Sequence, residues 1–244
     1  PVLSLSTDSI GVTITSCNDS ITVPVIIKNP GDTSLIYQII GLSGDNLIDA
    51  LVLGADYDYN LNDVKTKLMA TGKFNTVDVL ASNSNTPTLE YLQNYDAVLV
   101  WTDYFFQNST TLGNNLADYV DAGGGVVCGI FETGNYSPLG GRWQSETYNV
   151  FTRSGYTNSA VSLGTIAQPD HYIMTDVNTL SGGASCFHVN SETGLTPGAT
   201  EIARWSDGTL LAAEKNIGLS RRIDLGLWPP SDDQQSGNWD ASTD

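Results

Sequence analysis

Between residues 48 and 131, short unbroken apolar runs alternate with stretches whose apolar residues recur every three or four positions. IDALVLGAD (48–56) is continuous enough to be a strand buried on both faces. NLNDVKTKLMAT (60–71) places Leu61, Val64 and Leu68 on one helical face. TVDVLA (76–81) predicts a second strand, and TPTLEYLQN (86–94) a short helix that opens on a cap. DAVLVWTD (96–103) predicts the third strand, and TTLGNNLADYVDAGGG (110–125) a helix stopped by glycines. VVCGIF (126–131) predicts the fourth strand. This strand–helix alternation predicts an α/β fold with a mainly parallel sheet and helices on both faces.

The flanks have a different rhythm. SLSTDSIGVTITSC (4–17), SITVPVIIKN (20–29) and TSLIYQII (33–40) are rich in β-branched residues and break at CNDS and NPGDTS, both turn compositions. Three strands are fewer than the roughly seven of a complete sandwich, and their open edges are templates for pairing with another chain. The expected organisation is an all-β segment over 1–42 followed by an α/β domain over 43–244. Beyond the fourth strand, RWQSETYNVFTRSGY (142–156) reads as a helix, and residues 170–215 as short strands and turns with a hairpin around Ser206–Gly208. RRIDLGLWPPS (221–231) reads as a last strand ended by Pro229 and Pro230. The opening Pro1 and the closing SGNWDASTD, which resembles a helix start cut before its helix, lead us to expect an excerpt truncated at its C-terminus.

Charged residues are only 15% of the chain, so Asn, Ser, Thr, Gly and Asp must supply the polar surface, a composition we associate with secreted and cell-surface modules. A net charge of −17 argues against nucleic acid, whose phosphates need clustered Lys and Arg. It also disfavours anionic membranes, and no apolar run is long enough for membrane insertion. Of the three cysteines, Cys128 lies in a predicted buried strand, while Cys17 and Cys186 could pair only if their regions meet.

LVLGADYDYN (51–60), NYDAVLVWTD (94–103), LADYVDAGGGVV (116–127), PDHYIM (169–174), LTPGATEIARWSDGTLLAA (195–213) and RRIDLGLWPPS occur in an order that resembles the class I glutamine amidotransferase-like domains, near the ThuA-like group. The resemblance covers about three quarters of the chain and implies a flavodoxin-like fold. Residues 1–40, with their strand–NPGD–strand step, resemble part of the immunoglobulin-like (Ig-like) repeats of bacterial surface proteins. Catalytic members of the amidotransferase class carry Cys in a Gly-x-Cys-x-Gly elbow and a late His paired with a carboxylate. Here the corresponding stretch is VVCGIFETGN, with Cys128 inside the predicted strand and Phe131, Glu132 and Thr133 at its exit. The expected chain is therefore non-catalytic.

Ligands of parallel sheets bind outside the carboxyl ends of the strands, which gathers Asp56, Asp58, Tyr59, Asp103, Tyr104 and Glu132 on one rim as candidate ligand-binding residues. Asp56, Asp58 and Asn60 have the alternate spacing of oxygen ligands in a calcium loop, so Ca²⁺ is the cofactor to consider; in the competing reading Asp58 or Asn60 caps the next helix. Asp103 and Glu132 could form an acid–base pair, with His171 as a further base, against the reading that these are solvated rim acids. Tyr57, Tyr59, Trp101, Tyr104, Phe105, Phe106, Phe131, Tyr136 and Trp143 either line a sugar-binding rim or fill the core. Asn18, Asn108 and Asn135 head N-glycosylation triplets. The functional expectation is a non-catalytic module for adhesion, carbohydrate binding or fibre assembly. It would partner itself or neighbouring modules by strand addition. The alternative is an extracellular hydrolase that attacks glycan or peptide through the rim carboxylates.

Overall fold

A computed structural model describes residues 4–5, 27–28, 30–31, 47–132, 137–145, 148–218 and 220–242. The chain divides into two compact units, Pro1–Ser43 and Gly44–Asp244. In the first, β1 (Ser4–Leu5) pairs antiparallel with β2 (Ile27–Lys28); the rest of the expected Ig-like strands, with Cys17 and Asn18, lies outside the described residues.

The second unit runs β3 (Ile48–Ala55), α1 (Asp58–Ala70), β4 (Phe74–Ala81), α2 (Leu89–Leu92), β5 (Ala97–Thr102), α3 (Ser109–Asp121) and β6 (Gly125–Cys128). It continues through α4 (Gly141–Ser145), β7 (Tyr156–Ser159), β8 (Leu163–Ile166), a 3-10 turn (Tyr172–Met174), β9 (Cys186–Val189), β10 (Ala199–Trp205), β11 (Leu210–Ile217) and β12 (Ser220–Leu225). Eight strands form one sheet in the order β4-β3-β5-β6-β12-β11-β10-β8. The first five in that order are mutually parallel and the rest antiparallel, a mainly parallel flavodoxin-like half extended by an antiparallel one.

The period-two geometry of strands explains why β3 reads as an unbroken apolar run. Leu51, Leu53 and Ala55 face a core built with α2, α3 and α4, including Leu92, Leu112, Leu116 and Trp143. Ala50 and Val52 face the other core, with Leu61 and Val64 of α1. Gly54 is needed where these layers meet: a Cβ there would lie 2.9 Å from Trp101 Cε2 and overlap Leu61.

Two expectations change. The strand expected over 126–131 ends at Cys128, so Gly129–Glu132 form the exit. The helix expected over 142–156 stops at Ser145; beyond it the buried Asp224 carboxylate accepts from the backbone N–H groups of Val150 (2.9 Å) and Phe151 (2.8 Å), which takes them out of a helical ladder. Cys186 is a free, buried thiol. The hairpin around Ser206–Gly208 forms as β10–β11, with Gly208 at φ 87°.

Asp224 also binds Arg222 at 2.8 Å, and both side chains are buried. The Arg222 guanidinium donates to the carbonyls of Tyr148 (3.1 Å) and Val126 and to Cys128 Sγ (3.1 Å), and lies 4.4 Å over the Trp143 ring. Every arm of the pair is thus committed to tying β12, β6 and the segment after α4 together. Removing one partner of a buried ion pair leaves an uncompensated charge. Asp224→Ala is expected to lower unfolding stability by about 3–5 kcal/mol, read as a fall in the urea midpoint at unchanged slope.

Candidate functional site

The chain leaves β3 for β4 on one side and returns to β5 on the other. This reversal splays the loops at the carboxyl ends of β3 and β5 and opens a crevice there. Asp56 follows β3, Asp103 follows β5, Phe131 and Glu132 follow β6, and Trp228 follows β12.

Asp56 organises the crevice from beneath. Its side chain is buried, and one carboxylate oxygen accepts both indole N–H groups, from Trp101 (2.8 Å) and Trp228 (3.2 Å). The other oxygen accepts the Tyr57 N–H (2.7 Å) at the start of α1 and the Asn60 amide (2.7 Å). Asn60 in turn accepts from Gln235 at 2.9 Å. Burial raises the Asp56 pKa, and these four donors pull against that rise.

Above it lies a cavity of about 520 Å³, lined by Thr102, Asp103, Phe131, Ser137, Ser154, Gly155, Tyr156, Phe187, Trp228 and Gln235. Its aromatic wall is built from edge contacts: Phe131 meets Tyr156 at 4.6 Å between centroids and Phe187 at 5.8 Å, and Phe187 meets Trp228 at 5.8 Å. Two of the polar and apolar anchors, Gln235 and Trp228, are oriented by the Asp56 network. Asp103 is half-buried, and burial together with the nearby Asp56 charge pushes its carboxyl up to about 6.

The other candidate residues fall differently. The calcium loop is not formed: Asp56 is spent on four donors, Asn60 bridges Asp56 and Gln235, and Asp58 is exposed. Among the described residues no group of three or more His, Cys, Asp and Glu side chains could hold a metal. Neither Asp58 nor Asn60 is the N-cap of α1, which is Tyr57. Glu132 does not line the cavity with Asp103. It is fully buried, neither carboxylate oxygen has a well-formed hydrogen bond, and burial with the Asp224 charge raises its carboxyl to about 7. Each of the proposed acid–base partners is thus perturbed by a different third carboxylate. His171 lies outside the cavity lining: its Nδ1 accepts from Ile173 N at 3.3 Å, capping the 3-10 turn, and its Nε2 meets Glu214 at 3.1 Å. His188 is buried and bridges the Cys186 carbonyl and Asp207, each at 2.9 Å. Cys128, now the last residue of β6, is buried beside Arg222, and burial raises its thiol pKa well above the ordinary value, the opposite of an activated nucleophile.

Tyr59 and Tyr104 are exposed at the rim, each in ring contact with Tyr57, whereas Trp101, Phe106 and Trp143 are core. Asn108 is exposed and caps α3 by accepting from Thr111 N; Asn135 and Tyr136 lie outside the described residues. The cavity residues that strand-end reasoning missed are Ser137, Ser154, Gly155, Tyr156, Phe187, Trp228 and Gln235. Trp228 was signalled by the apolar run that stops at Pro229, since it stands at the carboxyl end of a sheet strand as Asp56 and Asp103 do. Tyr156 and Phe187 sit on the small β7–β9 pair, whose position over the sheet no local pattern encodes.

No family model matches the sequence, and no curated protein matches it. Among solved structures, the chain is similar to a protein described as ThuA-like from Bacteroides uniformis ATCC 8492, with 11% identity and a TM-score of 0.55 over 83% of this chain and 90% of that one. It is also similar to a carbohydrate deacetylase, with 15% identity and a TM-score of 0.52 over 75% of this chain and 29% of that one. A glutamine amidotransferase from Thermotoga maritima aligns at 7% identity and a TM-score of 0.48, over 73% of this chain and 75% of that one. The α/β unit Gly44–Asp244 therefore shares the fold of the ThuA-like protein.

Proposed function

We propose that the crevice binds a neutral sugar ring and that the chain is a non-catalytic carbohydrate-binding module of a secreted or cell-surface protein. The observation that carries this reading is the composition of the cavity wall: four aromatic rings close around a space that also holds a carboxylate, three hydroxyl-bearing side chains and an amide. Ring faces suit the C–H faces of a pyranose, and the polar groups suit its hydroxyls. Among the described residues no Lys or Arg lines the cavity, and the chain carries a net charge of −17, which favours a neutral ligand over an anionic one. Adhesion to a glycan-bearing surface would follow from such binding. The rival, hydrolysis by Asp103 and Glu132, needs both carboxylates at one reacting bond, and the burial of Glu132 outside the lining weighs for binding over chemistry.

Trp228→Ala is expected to weaken binding of a neutral glycan by about tenfold or more, the loss typical of a central aromatic anchor. Isothermal titration against the best ligand from a glycan array checks this, and retained affinity would remove the reading. Binding should also depend on pH. The Asp103 carboxylate is the better acceptor for a sugar hydroxyl, and its folded-state pKa is about 6. Affinity is therefore expected to rise between pH 5 and pH 7, passing through the Asp103 titration near pH 6. Asp103→Asn should flatten that profile.

A further inference from the structure

We infer that the site continues beyond the cavity onto an aromatic platform and takes a chain of neutral sugar units rather than a single one; this rests on the carbohydrate reading above. Among the described residues, five of the ten large apolar side chains left exposed gather on this one edge of the sheet: Tyr57, Tyr59, Tyr104, Phe105 and Tyr156. Burial would be the ordinary fate of rings this size. Tyr57 and Tyr59 are each 50% exposed, Tyr104 39% and Phe105 62%.

The exposed rings are ordered by contacts with one another. Tyr57 stacks on Tyr59 at 5.1 Å and 17° and meets Tyr104 edge-on at 5.0 Å and 71°. The neighbouring Tyr57 phenol, with the nearby Asp103 and Asp56 charges, raises the Tyr104 hydroxyl pKa. Tyr57 is pinned from below, because its N–H is one of the four donors to Asp56. A platform held this way loses little side-chain entropy when a ligand settles on it.

The platform is continuous with the cavity. Asp103 lines the cavity and Tyr104, its chain neighbour, belongs to the platform. Both surfaces are anchored by the same carboxylate, which receives Trp228 on the cavity side and Tyr57 on the platform side. On this reading a ligand seated against Trp228 and Asp103 extends its next units over Tyr104 and Tyr57. Phenol faces with hydroxyl rims suit successive pyranose rings, whose C–H faces and hydroxyls alternate in the same way. Exposed Asp58, between Tyr57 and Tyr59 in sequence, and Asp103 at the cavity wall bring negative charge to the site, so uronates and sulfated sugars are disfavoured and neutral hexose or N-acetylhexosamine polymers are the fitting class.

The test uses the full chain on an array of neutral hexose and N-acetylhexosamine glycans of one to six units, with a proline-repeat peptide as the competing class of aromatic-groove ligand. Titration then compares the best hexamer with its own monosaccharide. The hexamer is expected to bind at least about tenfold more tightly. Tyr57→Ala combined with Tyr104→Ala should bring the hexamer close to the monosaccharide while leaving the monosaccharide affinity intact. Circular dichroism of the variant confirms that the fold is retained. Equal affinity for one and six units, a length preference that survives both substitutions, or capture of the proline-repeat peptide in place of glycans would each overturn the platform. The first two outcomes leave the cavity reading standing. Failure of every glycan to bind would overturn both.

Discussion

A buried aspartate that accepts two indole N–H groups holds this site together. Asp56 lies where β3 ends, and its two oxygens collect donors from β5, from the segment after β12 and from the first turn of α1. A carboxylate out of water is costly unless its lone pairs are filled, so each of these four donors is held as firmly as it holds. The arrangement converts one desolvated charge into the fixed positions of Trp228, of Asn60 with Gln235, and of Tyr57. It also has an electrostatic consequence: the Asp56 charge adds to burial in raising Asp103, which gives the crevice a group that titrates near neutrality.

The two halves of the sheet contribute different things. The parallel half supplies the switch point and the acids at the strand ends. The antiparallel half, with the β7–β9 pair, supplies the aromatic wall. What joins them is the Arg222–Asp224 pair on β12, the strand that pairs with β6 on one side and β11 on the other. By capturing Val150 N and Phe151 N, Asp224 places the segment that leads to Ser154 and Tyr156, both cavity residues. Fold stability and site geometry therefore share the same buried charges.

The parallel half was readable from sequence because burial on both faces of β3 and β5 leaves unbroken apolar runs, and because α1 and α3 carry helical spacing. The strand-end rule then pointed to Asp56 and Asp103. What it could not say is that Asp56 faces inward to the indoles while Asp103 faces the cavity, since that depends on Trp101 and Trp228, 45 and 172 residues away. The helix expected after residue 142 failed for a similar reason. Asp224, more than 70 residues later, takes the backbone N–H groups of Val150 and Phe151. Glu132 looked like a rim acid, and only the packing against Cys128, Arg222 and Asp224 reveals it as buried.

The most direct measurement is a ¹⁵N–¹H spectrum of the five tryptophan indoles in the native protein and in Asp56→Asn. The amide keeps a single carbonyl oxygen, enough for the indole pair or for the α1 donors but not for both. The account predicts that the Trp101 and Trp228 signals move together. Those of Trp205 and Trp239, whose N–H groups bond the carbonyls of Gly226 and Pro229, should stay in place. A Trp228 signal that does not move would contradict it, because the cavity wall would then be set by something other than Asp56.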